Sequence, residues 1–283
     1  MGQGRYVFDT AAEGEGDRLE TLQQACDPTT FRHLGDRGVG PGWTCLEVAA
    51  GKGSVAEWLC GRVGDTGRVV ATDLSTLYLD KIDAPNLEVR RHDIVHDDLE
   101  TGVFDLVHCR FLLEHLPERE ALLRKMAAAL APGGWLVVED VDVVTYQVVR
   151  GRGRFVVPVV ARAMATAVTR HGYDPRFGGR LPRLMRQAGL TEVGGEGRAI
   201  VLPGGPETSA WVQPSFVRVR QMFSTGEFGE AGNPGRVARA MVRWPAAARV
   251  MEGLLVRSEA FFANPEVTIV SPPIMTAWGR RPA

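Results

Sequence analysis

The sequence predicts an α/β fold in which an open, mostly parallel sheet carries helices on both faces. Five short apolar runs lie between residues 44 and 140, and helical patterns or turns separate them. The runs lack polar alternation, as is typical of parallel strands that are covered on both faces. Strands that alternate with helical patterns indicate βαβ units and a parallel sheet.

The predicted elements of the first half follow one another closely. An N-terminal helix is expected over about Gly16–Cys26 and should end at Asp27-Pro28, because the residue before a proline avoids the helical region. A Pro/Gly turn at Ala131–Gly134 should separate the last helix from the last strand. The strands are predicted over Thr44–Ala50, Arg68–Thr72, Leu87–Arg91, Phe104–Cys109 and Trp135–Asp140, and the helices between them over Ser54–Val63 and Glu118–Leu130.

The strand signal weakens after about Asp142. We expect a sixth strand at Ala199–Leu202 and, at Val267–Arg280, either a terminal strand pair or one bent strand. The remaining predicted elements are helices over Phe155–Arg170, Leu181–Ala188 and most of Pro203–Asn264.

Composition is that of a globular protein, with 45% hydrophobic and 24% charged residues and a net charge of −1. This balance excludes a disordered chain and favours neither a nucleic-acid nor a membrane partner. The charge is unevenly distributed, because residues 1–149 contain 14 Lys or Arg and 25 Asp or Glu, and residues 150–283 contain 19 and 9. The asymmetry fits a solvated surface, or a basic second part that faces an anionic ligand, an acidic partner or the acidic first part of another copy in a homodimer.

The four cysteines form no CxxC pair, and none has metal-ligand spacing with a histidine. They are predicted to be buried thiols in a reducing, cytoplasmic protein without a metal site. The sequence has no secretory leader pattern and no apolar stretch of about 18 residues, so no membrane span is expected.

Acidic residues stand at the ends of the first three predicted strands, and glycines follow the first. Gly51 and Gly53 allow a ligand to approach the backbone closely, whereas Glu47 would repel a pyrophosphate and accept a hydrogen bond from an amino group. Asp73 could hold ribose hydroxyls, and Asp93 could accept from an adenine amine. An adenosine with a zwitterionic tail and no phosphates fits this set, which describes S-adenosylmethionine.

The chain also resembles a known family in five motifs that follow in the family's order and spacing. The family is the class I S-adenosylmethionine-dependent methyltransferases, in the branch of ubiquinone/menaquinone-type and natural-product tailoring enzymes. The resemblance implies a Rossmann-like, mostly parallel seven-stranded sheet with an N-terminal helical lid and a helical insertion before the last strand. The motifs are LEVAAGKGS (Leu46–Ser54), VVATDLS (Val69–Ser75), RRHDI (Arg90–Ile94), FDLVHCRFLLEHL (Phe104–Leu116) and LAPGGWLVVED (Leu130–Asp140).

The resemblance implies roles at matching positions of this sequence. One departure is Ala49, which stands where the family's G-x-G-x-G loop has its first glycine, a position where one methyl is commonly tolerated. The implied cofactor-binding residues are Glu47, Ala49, Gly51 and Gly53 around the methionine moiety, Asp73 and Leu74 at the ribose and adenine, Asp93 and Ile94 at the adenine ring, and Arg110 and Phe111 at the sulfonium.

The domain organisation follows from the same resemblance. We expect one elaborated domain. It begins with a helical cap over residues 1–40, which is followed by a cofactor-binding core over 41–205 with a variable helix at about 151–173. A helical lid or substrate insertion over 206–264 comes next, and a terminal strand over 265–283 completes the sheet. Trp211, Phe216, Met222 and Phe223 in the insertion fit either a hydrophobic acceptor or a plain core.

The predicted function is methyl transfer from S-adenosylmethionine to a small hydrophobic or aromatic metabolite of secondary metabolism, with O-methylation favoured over N or C. His115 is the candidate general base, with a structural role as the alternative, and His171 is a second candidate. One rival function uses the bound cofactor for cyclisation or rearrangement. A nucleic-acid methyltransferase is disfavoured, because CRFLLEHL stands where a catalytic N/D-P-P-Y/F loop would be expected.

Overall fold

The computed structural model describes residues 15–143, 147–150, 169, 172–206, 208–209, 260 and 262–283. The chain divides into two compact units. The sheet unit comprises Phe8–Val141, Arg176–Gly197 and Ile274–Ala283, and the second unit comprises Met1–Val7, Asp142–Pro175 and Arg198–Pro273.

The sheet unit is built around a seven-stranded sheet of order β3-β2-β1-β4-β5-β10-β7. The first five strands in this order are parallel, and β10 runs antiparallel to β5. The predicted fold class is therefore confirmed. The strands are β1 (Thr44–Val48), β2 (Arg68–Asp73), β3 (Leu87–Arg91), β4 (Phe104–Arg110), β5 (Leu130–Val141), β7 (Thr191–Arg198) and β10 (Ile274–Arg280).

The described helices of the sheet unit are α1 (Glu15–Asp36), α2 (Ser54–Val63), α3 (Arg119–Ala129) and α4 (Leu181–Gln187), with short 3-10 turns at Leu79–Lys81, Leu113–His115 and Gly178–Arg180. Two apolar clusters form the core. Neighbouring residues of β1 enter different clusters, Leu46 one and Cys45 the other, because successive side chains of a strand point to opposite faces. The carboxyl ends of β1 to β5 meet at one edge, which is where parallel α/β sheets bind ligands.

The N-terminal helix is longer than predicted. The expected end at Asp27-Pro28 is wrong, because α1 continues through Pro28 to Asp36. Proline inside a helix removes one hydrogen bond and favours a kink. Contacts of later residues compensate, since Thr30 and His33 are buried and Leu34 belongs to an apolar cluster.

The sixth strand of the large sheet is β7, whereas the strand predicted at Ala199–Leu202 is observed as β8 (Val201–Pro203) in a smaller sheet. β7 has the sequence TEVGGEGR and lies mostly exposed at the sheet edge, so it has no apolar run. Its Gly194 is required by packing, because a Cβ there would lie 2.6 Å from the Trp278 indole. β5 also starts earlier than predicted, at Leu130, and includes the Ala131–Gly134 segment that was expected to be a turn.

The second unit contains a three-stranded antiparallel sheet of order β6-β9-β8. Its strands are β6 (Gln147–Arg150), β8 (Val201–Pro203) and β9 (Thr268–Val270). The C-terminal segment therefore forms a strand pair split between two sheets, β9 here and β10 in the large sheet. The predicted helix at Phe155–Arg170 and most of the predicted insertion, together with His171, lie outside the described residues.

In the described part of the chain, no helix has both the length and the hydropathy needed to cross a membrane. A search of the same residues finds no cluster of three or more His, Cys, Asp or Glu that could hold a metal ion. The four cysteines are free and buried.

Candidate functional site

The loop between β1 and α2 is a tight turn that presents backbone to the sheet edge. The Ala50 N–H donates to the Thr72 carbonyl at 2.9 Å, and the Gly53 N–H donates to the Ala50 carbonyl at 2.9 Å. Gly53 has a φ of 87°, and a Cβ there would lie 2.4 Å from Ile82 Cδ1. Only glycine fits this position, and because it has no side chain to cap α2, backbone N–H groups are available to a ligand.

Ala49 occupies a backbone conformation that favours glycine. Its φ is 56°, in the left-handed region, where an L-residue with a Cβ costs about 1–2 kcal/mol. Ala49 thus adopts a backbone conformation that glycine would reach without strain.

Asp73, at the end of β2, is joined directly to the glycine loop. Its Oδ2 accepts from the Gly51 N–H at 2.9 Å, and its Oδ1 accepts from the Ser75 N–H at 3.1 Å. Burial raises the pKa of Asp73, and these backbone donors partly oppose the rise. Each carboxylate oxygen keeps a second lone pair for a ligand hydroxyl. The following Leu74 is 53% exposed and offers an apolar surface beside the carboxylate.

Asp93 lies beyond the end of β3, two residues after Arg91, which pairs with Asp73 in the sheet. Its Oδ1 accepts from the Val95 N–H at 2.9 Å, and its side chain is partly exposed. Ile94 is buried, and its carbonyl accepts from Lys125 Nζ at 3.0 Å. The structure thus brings Glu47, Asp73 and Asp93 to the ends of three adjacent strands.

Glu47 contacts a buried histidine that sequence reasoning missed. The β1–β4 register pairs Glu47 with His108, and Glu47 Oε2 lies 2.6 Å from His108 Nδ1. His108 Nε2 lies 3.7 Å from Glu139 Oε2 on the other side. Burial disfavours the imidazolium, but the two carboxylates outweigh it and raise the pKa of His108 to about 9.

Glu139 on β5 accepts a hydrogen bond at each of its carboxylate oxygens. Thr30 of α1 donates to its Oε2 at 2.5 Å, and Thr276 of β10 donates to its Oε1 at 2.8 Å. Burial would raise the pKa of Glu139, but His108, Arg110 and the Thr30 hydroxyl lower it to about 2. Glu139 is therefore a fixed anion in the sheet.

Arg110 connects the end of β4 to α1. Its Nη2 lies 2.9 Å from Asp27 Oδ1, and its Nη1 donates to Thr30 Oγ1 at 2.9 Å. Ser54 at the start of α2 also donates to Asp27 Oδ1, at 3.1 Å. The guanidinium that was expected to line the sulfonium thus holds α1 over this edge of the sheet.

Phe111 follows with a φ of 54°. A bulky residue at positive φ is an outlier, and such residues often occur at functional sites. The Phe111 N–H donates to the Glu139 carbonyl at 2.7 Å, which stabilises the bend where the chain leaves the sheet.

His115 lies on the 3-10 turn after β4 beside two buried carboxyl groups. Its Nε2 is 3.3 Å from Glu114 Oε1, and the Val141 N–H donates to Glu114 Oε2 at 2.8 Å. Asp140 Oδ1 accepts from the Leu112 N–H at 3.1 Å. Burial and the nearby Glu114 charge raise the pKa of Asp140 well above its usual range, which favours the protonated form of its carboxyl group. An ionisable residue inside a predicted apolar strand, such as His108 or Asp140, is the sequence signal that could have predicted these buried charged groups.

Comparison with known proteins identifies the family. Residues 19–193 match the methyltransferase domain family. Methyltransferase str3 of Strobilurus tenacellus is 27% identical over 232 residues, which span 80% of this chain and 81% of that protein. The ubiquinone/menaquinone biosynthesis C-methyltransferase UbiE of Cupriavidus pinatubonensis is 28% identical over 180 residues, 56% of this chain and 72% of that protein.

A solved structure shares the fold. Phosphoethanolamine N-methyltransferase 2 of Haemonchus contortus, in complex with phosphomonomethylethanolamine and S-adenosylhomocysteine, aligns with a TM-score of 0.50 and 15% identity over 95% of this chain and 53% of that one. The family match covers more than half of the chain. The chain therefore belongs to the methyltransferase domain family and is an S-adenosylmethionine-dependent methyltransferase of small molecules.

Proposed function

We propose that this enzyme methylates a small hydrophobic or aromatic metabolite, with oxygen favoured over nitrogen or carbon as the acceptor atom. The observation that carries the proposal is the set of acidic side chains at the ends of β1, β2 and β3, tied to a glycine loop by the Gly51–Asp73 hydrogen bond of 2.9 Å. The similarity to the ubiquinone/menaquinone biosynthesis C-methyltransferase of Cupriavidus supports a quinone-like, hydrophobic class of acceptor and keeps carbon as the alternative acceptor atom.

The donor groups of this edge fit S-adenosylmethionine. Glu47 and the glycine loop would hold the methionine moiety, Asp73 the ribose with Leu74 against the adenine, and Asp93 and Ile94 the adenine edge. Phe111, with its strained backbone, and Arg110 would border the sulfonium end. When bound, the cofactor supplies an electrophilic methyl group. The chain's own part is to hold the acceptor in line and to exclude water.

We assign His115 as the general base that removes the acceptor proton. Glu114 Oε1, 3.3 Å from His115 Nε2, would hold the imidazole in place and stabilise its protonated form. The raised pKa of Asp140 favours a proton on Asp140, so Glu114 would carry the charge of this buried pair and act as an anionic partner for the histidine.

The first experiment is calorimetric titration with S-adenosylmethionine, S-adenosylhomocysteine and NAD. Micromolar binding of the first two and none of NAD is expected, and Asp73→Asn should weaken both because ribose contacts are lost. Binding of NAD alone would overturn the cofactor assignment. Turnover without consumption of S-adenosylmethionine would replace methyl transfer by the cyclisation or rearrangement alternative.

A further inference from the structure

His108 lies between two carboxylates that differ in how many partners they have. Strand β4 is flanked by β1 and β5, so the His108 imidazole meets Glu47 on one side and Glu139 on the other. Both oxygens of Glu139 accept hydrogen bonds from threonines. In the described part of the chain, side-chain hydrogen bonds to Glu47 engage Oε2 alone. Both oxygens of the carboxylate at one end of the bridge are thus engaged, whereas Glu47 Oε1 at the other end remains open to a ligand donor.

We propose that His108 is a positioning residue that orients Glu47 to bind the α-ammonium group of the cofactor. This inference rests on the proposed function. Glu139 attracts the imidazolium across 3.7 Å, the imidazolium holds Glu47 Oε2 at 2.6 Å, and Glu47 Oε1 is left as the acceptor for the ligand. Without His108, the Glu47 carboxylate can rotate, and binding must first restrict it.

The charges around His108 agree with a cationic ligand group. The surrounding set contains three carboxyl groups, Asp27, Glu47 and Glu139, and two basic groups, His108 and Arg110. Burial makes an unbalanced charge costly. An ammonium group on Glu47 would supply the missing positive charge, whereas a phosphate would add to the negative excess.

A purely structural role predicts a different outcome from a positioning role. A buried ion pair contributes little to net stability compared with apolar residues of similar volume, so stability alone gives no reason for this bridge. If His108 only supports the sheet, its loss should weaken every ligand of the site equally. If it orients Glu47, the loss should affect only ligands that carry the amino-acid moiety.

The test compares two isosteric substitutions with two ligands. His108→Asn keeps a donor at the Nδ1 position toward Glu47, and His108→Gln keeps one only at the Nε2 position toward Glu139. Calorimetry would measure S-adenosylhomocysteine and 5′-methylthioadenosine, which lacks the amino-acid moiety. We expect His108→Gln to weaken S-adenosylhomocysteine binding by about 10- to 100-fold with 5′-methylthioadenosine unchanged, and His108→Asn to retain most of the affinity.

Glu47→Gln provides the matched control. In that background, His108→Asn and His108→Gln should give the same ratio of the two affinities, because the substitution removes the carboxylate charge that binds both the residue at position 108 and the ammonium group. Equal weakening of both ligands by His108→Gln, or no weakening, would overturn the positioning role. If His108→Gln does not fold in a thermal melt, His108→Asn remains as the test, because equal weakening of both ligands by that variant would also overturn the positioning role. Failure of the wild-type protein to bind S-adenosylhomocysteine would refute the proposed function instead.

Discussion

Glu139 and Asp140 are neighbours in β5, yet the pKa values of their carboxyl groups are shifted in opposite directions. The pKa of Glu139 is lowered to about 2, whereas that of Asp140 is raised well above its usual range. Successive side chains of a strand point to opposite faces of the sheet. Glu139 meets His108 and Arg110 on its face, and Asp140 meets the Glu114 carboxylate on the other. The direction of the pKa shift of a buried carboxyl group therefore depends on the charged groups of the sheet face that it occupies.

Neutralising Glu139 should give the largest effect on stability. Glu139→Gln leaves His108 and Arg110 buried with one fewer anion, and removal of one partner from a buried ion pair costs about 3–5 kcal/mol. The free energy of unfolding from urea titration at pH 7 would measure this loss. A loss below about 1 kcal/mol would mean that the Glu139 charge is not needed on this face.

The role of the face that carries Asp140 and Glu114 can be tested by substituting His115. His115→Gln should lower kcat by about 100-fold or more, because the base is lost, with little change in S-adenosylmethionine affinity. The pH profile of kcat should lose its acidic limb in the variant. An unchanged kcat would return His115 to a structural role, and Glu114→Gln then tests whether the carboxyl pair affects catalysis at all.

The carboxyl groups on the two faces should contribute to the free energy of unfolding with opposite dependence on pH. The stabilisation from Glu139 is present above its ordinary pKa of 4.5 and is lost as the pH falls through about 2. Asp140 does the reverse, because the unfolded chain releases its proton at lower pH, so stability falls as the pH rises above 3.8. Stabilisation from His108 is complete below 6.5 and is lost as the pH rises through about 9. Urea titrations from pH 3 to 10, with Glu139→Gln and Asp140→Asn as references, would separate these contributions.

Asp140→Asn should have the smallest effect. The amide imitates the protonated carboxyl group, and its Oδ1 can still accept from the Leu112 N–H. We expect the unfolding free energy at pH 4 to stay within about 1 kcal/mol of wild type, with the variant gaining relative stability as the pH rises. A loss as large as that of Glu139→Gln would contradict the protonated state of Asp140.

The sequence predicted most of the large sheet and the cofactor edge because their signals are local. Strands β1, β2 and β4 contain short apolar runs, Asp73 is the last residue of β2, and Gly51 and Gly53 lie in the loop that follows β1. Strand β7 escaped prediction because an exposed edge strand has no apolar run. The partners of Arg110 also escaped prediction, since Asp27 and Thr30 lie about 80 residues earlier and meet it only when α1 packs on the sheet.

By itself the sequence determined the parallel α/β architecture, the glycine loop and the acidic strand ends, since backbone propensity and side-chain periodicity act over a few residues. Tertiary structure alone decided the ionisation of His108, Glu139 and Asp140 and the continuation of α1 through Pro28. The physical reason is that charge and burial depend on groups brought together from distant strands by register. Adjacent residues with the same functional group can therefore differ in charge.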